Sequence, residues 1–214
     1  MYLLRQLCGA LAEAHAAGLV HRDVKPGNVI IATLGGQRDV VKLLDFGLVQ
    51  DLSLVRDTRL TRIGTVLGTP DYMSPEQAAG ESAVDPRGDI YGLGAVAFFA
   101  LTGRPPFQEK SFGQLLAAHR SEPPPALTDF RTDVPADIAA VVARCLAKEP
   151  NERFQAAIDL DRALSKCACA DEWSAELAAG WWQSNEGRPV ATAEFRAPPA
   201  EIGPRKQAPE GFRY

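Results

Sequence analysis

The stretch His21-Arg22-Asp23-Val24-Lys25-Pro26-Gly27-Asn28-Val29-Ile30 constrains this chain more than any other. Pro26 and Gly27 break any helix, so the segment reads as a loop. An apolar helical pattern precedes it and a short β-type run follows. Asp23 and Asn28 both offer oxygen donors, with the cation of Lys25 between them. A loop of this kind can aim Asp23, Lys25 and Asn28 into one small volume, as a reaction on a phosphate requires. Downstream, Leu43-Leu44-Asp45-Phe46-Gly47 places a second carboxylate at the end of another apolar run.

The periodicity around this loop predicts a mainly helical fold with a small β-hairpin. Residues 2–17 read as a helix with Leu3, Leu4, Leu7, Leu11 and Ala14 on one face, stopped by Gly18. Val29-Ile30-Ile31 and Val40-Val41-Lys42-Leu43-Leu44 read as two strands joined at Gly35-Gly36. Residues 47–73 show no sustained period and read as a long functional or mobile loop. Helices are expected over 89–102, 111–119, 136–147 (Ile138, Val141, Val142, Cys145 and Leu146 inward) and 155–165. The small residues Gly92, Gly94, Ala95, Ala97 and Ala100 suit close packing around the first of these. Pro123-Pro124-Pro125 is an extended connector. A further helix over 171–183 is expected to gather Trp173, Leu177 and Trp181 on one side. The boundaries expected are a main domain over 1–166, a short helical extension over 167–183 and a disordered tail over 184–214, where Pro, Gly and scattered charge recur.

Composition excludes several classes. A net charge of −4 over 214 residues gives no sign of nucleic-acid binding. The most apolar run, Tyr91–Leu101, is too short to span a bilayer, and no secretory signal opens the chain. The cytoplasm is therefore the expected location. Four cysteines make no disulfide framework. Cys167-Ala168-Cys169 lacks the second pair that a metal site requires, so small-residue filler is the better reading. Nothing in the sequence sets an oligomeric state.

The loop at His21–Asn28 and the Asp45-Phe46-Gly47 triplet together resemble the catalytic loop and metal-binding motif of protein kinases. Lys25, where the tyrosine branch carries Arg, points to the serine/threonine branch, and the chain resembles its bacterial members. The order helix, hairpin, long loop, helices is that of the C-terminal lobe, and the resemblance covers about residues 2–165. It implies transfer of the γ-phosphoryl of ATP to a serine or threonine hydroxyl of a protein substrate, with Mg²⁺ as cofactor. Asp23 then handles the proton of the attacking hydroxyl, and Lys25 neutralises the transferred group. Asn28 and Asp45 are the expected metal ligands. Lys25, Asn28, Ile30 and Asp45 are expected to contact the nucleotide, with Ile30 beneath adenine.

Gly68-Thr69-Pro70-Asp71-Tyr72-Met73-Ser74-Pro75-Glu76 resembles the segment that seats the substrate, with Ser74 in place of the usual Ala. The resemblance implies that Thr69 contacts Asp23 and Lys25, that Glu76 pairs with Arg153, and that Asp89 caps the His21-Arg22 turn. It also implies that His21 and Phe46 stack in an apolar column. Arg22, directly before Asp23, implies control by phosphorylation in the 47–68 loop, with Thr65 the best-placed acceptor and Thr61 the next. The smaller lobe, with its Gly-rich loop, ATP-pairing lysine and partner glutamate, does not occur in residues 1–214. Truncation is the expected reason, because the catalytic residues of this half are intact; natural loss is the alternative. A catalytically silent binding module and a small-molecule kinase of related fold are the competing functions. The Thr69–Glu76 platform argues against the latter.

Overall fold

In the computed structural model, which describes residues 1–45, 70–81, 85–108 and 111–185, helices surround a single buried one. The elements in order are α1 (Tyr2–Ala16), β1 (Val29–Leu34), β2 (Gln37–Leu43), α2 (Pro75–Ala78), α3 (Pro86–Thr102), α4 (Phe112–Ser121), α5 (Ala136–Cys145), α6 (Ala157–Leu164) and α7 (Ala175–Ser184). Residues Met1–Ser184 form one compact unit. This is the mainly helical architecture with one small hairpin that the periodicity implies.

The central helix is α3, buried from Gly88 through Phe98. Its boundaries follow local chemistry. Asp85 accepts the Arg87 N–H as an N-cap, and Pro86 occupies the first turn, where no N–H is needed. Gly103 ends it with φ 74°, in the left-handed region. Small residues let neighbours reach its backbone. A Cβ on Gly94 would lie 2.5 Å from Cys145 Cβ of α5, and one on Gly92 would lie 3.0 Å from Val24 Cβ of the His21–Ile30 loop. The core joins Leu7 and Leu11 of α1, Ile90, Leu93 and Phe98 of α3, Ile138 and Val142 of α5, and Leu160 and Leu164 of α6.

The hairpin is antiparallel, pairing Val29 with Leu43 and Ile31 with Val41. Gly35 and Gly36 both have positive φ, 59° and 83°, as a two-residue hairpin turn with the strand twist demands. The register slips between Ala32 and Leu34.

Three expectations need correction. Of the helix-α1 face, Leu7, Leu11 and Ala14 are buried, but Cys8 joins them in place of Leu3. In the extension, Trp173 precedes the helix, so counting turns from it selects the wrong face. Leu177 and Trp181 are exposed, while Ala178 is buried and Trp182 turns toward the hairpin. Residue 184, expected to begin the tail, ends α7. Residues 186–214 lie outside the described residues.

Candidate active site

The loop after α1 is fixed from below by Asp89. This carboxylate, in the first turn of α3 and 1% exposed, accepts the backbone N–H groups of His21 and Arg22, both at 2.7 Å. The His15 ring lies 2.8 Å from the same carboxylate. Arg22 has φ 66°, a left-handed conformation that costs a non-glycine residue roughly 1–2 kcal/mol. The two N–H bonds to Asp89 offset that cost. A third contact comes from Gln77, whose amide donates to the Arg22 carbonyl at 2.6 Å.

His21 is fully buried, and its surroundings set its tautomer. Nδ1 accepts from the Asp23 N–H at 3.2 Å, so Nε2 carries the proton and donates to the Leu44 carbonyl at 2.8 Å. The ring thus ties the start of the loop to the chain just before Asp45.

Val24, seated on the bare face of Gly92, turns the loop so that Asp23 and Lys25 rise on the other side. The Lys25 ammonium lies 2.7 Å from Asp23 Oδ2. A 3₁₀ turn over Pro26–Asn28 brings Asn28 back beneath it. The Asn28 amide nitrogen donates to the Asp23 carbonyl at 2.8 Å and to Asp23 Oδ2 at 3.0 Å. Both of those partners are acceptors, so the NH₂ group faces Asp23 and the amide oxygen points elsewhere. The Asn28 carbonyl accepts the Leu44 N–H at 2.8 Å, which sets Asp45 beside Asn28 across the open end of the hairpin. Asp45 has φ 53°, and Ile30 is 43% exposed on β1.

Asp23, Lys25, Asn28 and Asp45 therefore converge on one end of the hairpin. Glu76 and Arg153 lie apart from it, in the core. The Arg153 guanidinium, with no exposed surface, meets both Glu76 oxygens at 2.8 and 2.9 Å. It also donates to the carbonyls of Arg87, Ala147 and Lys148. Every N–H direction of the fork is thereby used, as a buried cation needs. Phe46, Thr58, Thr61, Thr65, Gly68 and Thr69 lie outside the described residues.

Sequence reasoning missed His15 and Gln77. For Gln77 a signal existed. Ser74-x-x-Gln77 is a capping box, with Gln77 Oε1 accepting the Ser74 N–H at 2.9 Å, and that fixes the side chain that reaches Arg22. His15 carries no such signal, because only the fold brings the last turn of α1 to Asp89.

The donor set suits a hard cation. Among the described residues no three His, Cys, Asp or Glu side chains gather around one point. What the site offers is one carboxylate and one amide oxygen, the sparse protein share usual for Mg²⁺, which takes its other ligands from phosphates and water.

Comparison with known proteins assigns the family. The protein kinase domain family matches residues 2–163. The serine/threonine-protein kinase Pkn1 of Myxococcus xanthus is 42% identical over 154 residues, covering 71% of this chain and 22% of that protein. PknH of Mycobacterium bovis is 40% identical over 158 residues, 74% of this chain and 25% of its own length. The probable serine/threonine-protein kinase PknB of Corynebacterium glutamicum is 38% identical over 162 residues, 74% of this chain and 24% of its own. The chain thus spans about a quarter of the length of these relatives. With its helical, single-hairpin architecture, it belongs to the serine/threonine protein kinase family and carries the part of the domain that corresponds to the C-terminal lobe.

Proposed function

We propose that this chain provides the catalytic-loop half of an ATP-dependent kinase acting on serine and threonine hydroxyls of proteins. The observation that carries the reading is the Asp23 carboxylate, held between the Asn28 amide at 3.0 Å and the Lys25 ammonium at 2.7 Å on a loop pinned by Asp89. Asp23 takes up or orients the proton of the attacking hydroxyl. Lys25, paired with Asp23 at rest, swings its charge to the incoming phosphoryl oxygens. Asn28, with its nitrogen committed to Asp23, turns its oxygen toward a cation shared with Asp45. Bound Mg²⁺ supplies charge neutralisation on the ATP phosphates. Ile30 gives an apolar floor for the base. Among the described residues no helix is long and apolar enough to cross a membrane. We place the activity in the cytoplasm, where ATP is.

Positioning carries much of the rate in phosphoryl transfer, and residues 1–214 contain no Gly-rich phosphate cover. The chain alone is therefore expected to label a generic protein substrate negligibly from radiolabelled ATP. Preceded by the smaller lobe of the domain, it should label substrate, and Asp23→Ala should abolish that labelling. Activity that survives Asp23→Ala overturns the assignment of Asp23, and absence of labelling by the two-lobe protein leaves the silent binding module as the better reading.

Regulation is proposed through Arg22. Its backbone is held by Asp89 and Gln77, and its guanidinium is the cation next to Asp23 in the chain. Phosphate on Thr65, or next on Thr61, would bring charge of about −1.5 to −2 to meet it, with Thr69 seating the substrate against Asp23 and Lys25. In the protein with both lobes, Thr65→Ala with Thr61→Ala should lower activity. Full activity of the double variant, or phosphate found only elsewhere by mass spectrometry, sinks the proposal.

A further inference from the structure

The kinase family match ends at residue 163, yet the chain beyond it reaches back to the hairpin. The meeting point is Asp39 in β2, 8% exposed and with φ 55°. Its Oδ2 accepts the Trp173 indole N–H at 2.9 Å, and its Oδ1 accepts the Trp182 indole N–H at 2.7 Å. Both oxygens of one buried carboxylate are thus held by two indoles from a segment more than 130 residues away in sequence. The Arg38 guanidinium stands 5.8 Å from the centre of the Trp182 ring. From the other side, Gln6 of α1 donates to the Asp39 carbonyl at 2.8 Å and accepts the Val41 N–H at 3.0 Å.

A hairpin of two strands has little stability of its own, so what packs against it decides where it sits. In this hairpin the open end carries Asn28 and Asp45, joined by the Leu44-to-Asn28 hydrogen bond. The ladder runs without a break from that end to the Ala32–Val40 pair, and Asp39 follows at the register slip. Among the described residues the sheet has no third strand, so its free edges are not paired. Gln6 takes the place of a neighbouring strand at the Asp39 and Val41 backbone, and the indoles hold the Asp39 side chain.

We infer that Trp173 and Trp182 are positioning residues: acting through Asp39, they clamp the hairpin and so hold Asn28 and Asp45 at the spacing the cation needs. The second half of that statement rests on the reading of Asn28 and Asp45 as cation ligands. The clamp belongs to this chain's extension and makes residues 167–184 a working part of the unit.

Hydrogen exchange on the full 214-residue chain tests it, read at single amides by NMR, for Trp173→Phe, Trp182→Phe, the double variant and Asp39→Asn. Phenylalanine keeps an aromatic ring but removes the N–H donor together with part of the indole surface, whereas Asp39→Asn alters the acceptor and leaves both indoles intact. The Leu44 amide and those of β2 should exchange about tenfold faster in the double variant, and the α3 amides from Leu93 to Val96 should be unchanged. Asp39→Asn, which keeps one acceptor, should fall between. Mn²⁺ alone, followed by broadening of the Asn28 side-chain NH₂ resonance, should bind about tenfold more weakly to the double variant. Unchanged Leu44 protection, or equal acceleration in α3, overturns the clamp. Faster Leu44 exchange with undiminished Mn²⁺ affinity overturns the positioning role. Unmodified protein whose Asn28 resonance stays sharp at millimolar Mn²⁺ overturns the cation reading itself, while a loosened Leu44 in the variants would still uphold the clamp.

Discussion

The site is built on two supports of opposite character. Below it, α3 is buried along eleven consecutive residues, from Gly88 to Phe98, and its neighbours press on its backbone. Above, the hairpin leaves Ile30, Ile31 and Leu34 between 43% and 55% exposed. The first holds its part of the site through close packing and buried charge, the second through a few directed hydrogen bonds. Asp89 on α3 fixes the loop that carries Asp23, whereas Asn28 and Asp45 ride on the hairpin. The residue proposed to orient a proton is thus placed on the packed support, and the residues proposed to hold a cation are carried by the hairpin, whose position depends on the Asp39 clamp.

If that division is correct, breaking the lower support should unfold the chain. Arg153→Ala strands the Glu76 carboxylate in the core and leaves three backbone carbonyls without their donor. The expected loss is about 3–5 kcal/mol, read as a lower urea midpoint. An unchanged midpoint would show that the pair is solvated and that the lower support is not held by buried charge.

Acid should reach the same support through His119. This ring of α4 is fully buried, 3.0 Å from the Tyr91 hydroxyl of α3. Burial, with the Lys148 charge nearby, pushes it down to about 4 from 6.5. The unfolded chain therefore binds the proton more readily. Stability linked to His119 is complete above pH 6.5 and is lost as pH falls from 6.5 toward 4. The full loss is about 3 kcal/mol. His119→Gln should flatten that part of the acid limb relative to the unmodified chain. Superimposable limbs for the two proteins would show that His119 titrates normally.

A smaller effect tests packing alone. In Gly94→Ala the new Cβ would sit 2.5 Å from Cys145 Cβ, an atom too close to the α5 backbone to swing aside. Overpacking costs about 1–3 kcal/mol, against about 1 kcal/mol gained from the better helix former. A net drop in midpoint is expected. A rise would mean that α3 and α5 have slack between them, and the contrast with the hairpin would weaken.

The sequence exposed these two supports unequally. The run of apolar and small residues over 89–102 identifies α3, because burial on all sides leaves no polar face to confuse the pattern. The hairpin is legible from Gly35-Gly36, since two successive left-handed residues admit few alternatives. The loop with Asp23, Lys25 and Asn28 is local, so its spacing in sequence is nearly its spacing in space. The extension was legible as a helix, but its contacts were not. Periodicity ranks faces by apolar content and selects Leu177 and Trp181. The structure instead turns Trp182 inward because its N–H finds a carboxylate, and no local pattern announces a partner at Asp39. Gln6 and His15 were missed for the same reason. Each is an ordinary helix residue whose role is set by an element distant in the chain.

The smallest expected effect is the sharpest test of the contrast. Ile31, on β1 opposite Val41, is 50% exposed. Threonine keeps the β-branch that suits a strand, so the backbone preference is retained. The apolar surface lost is already half in water, and the new hydroxyl can reach solvent. Ile31→Thr should therefore shift stability by no more than about 0.5 kcal/mol, the range for surface positions. Measured in the same buffer as Gly94→Ala, its urea midpoint should stay with the unmodified chain while that of Gly94→Ala falls. A drop as large as that of Gly94→Ala would show Ile31 to be covered in solution. The hairpin would then be a packed support like α3, and the contrast between a support held by packing and one held by a few directed hydrogen bonds would be lost.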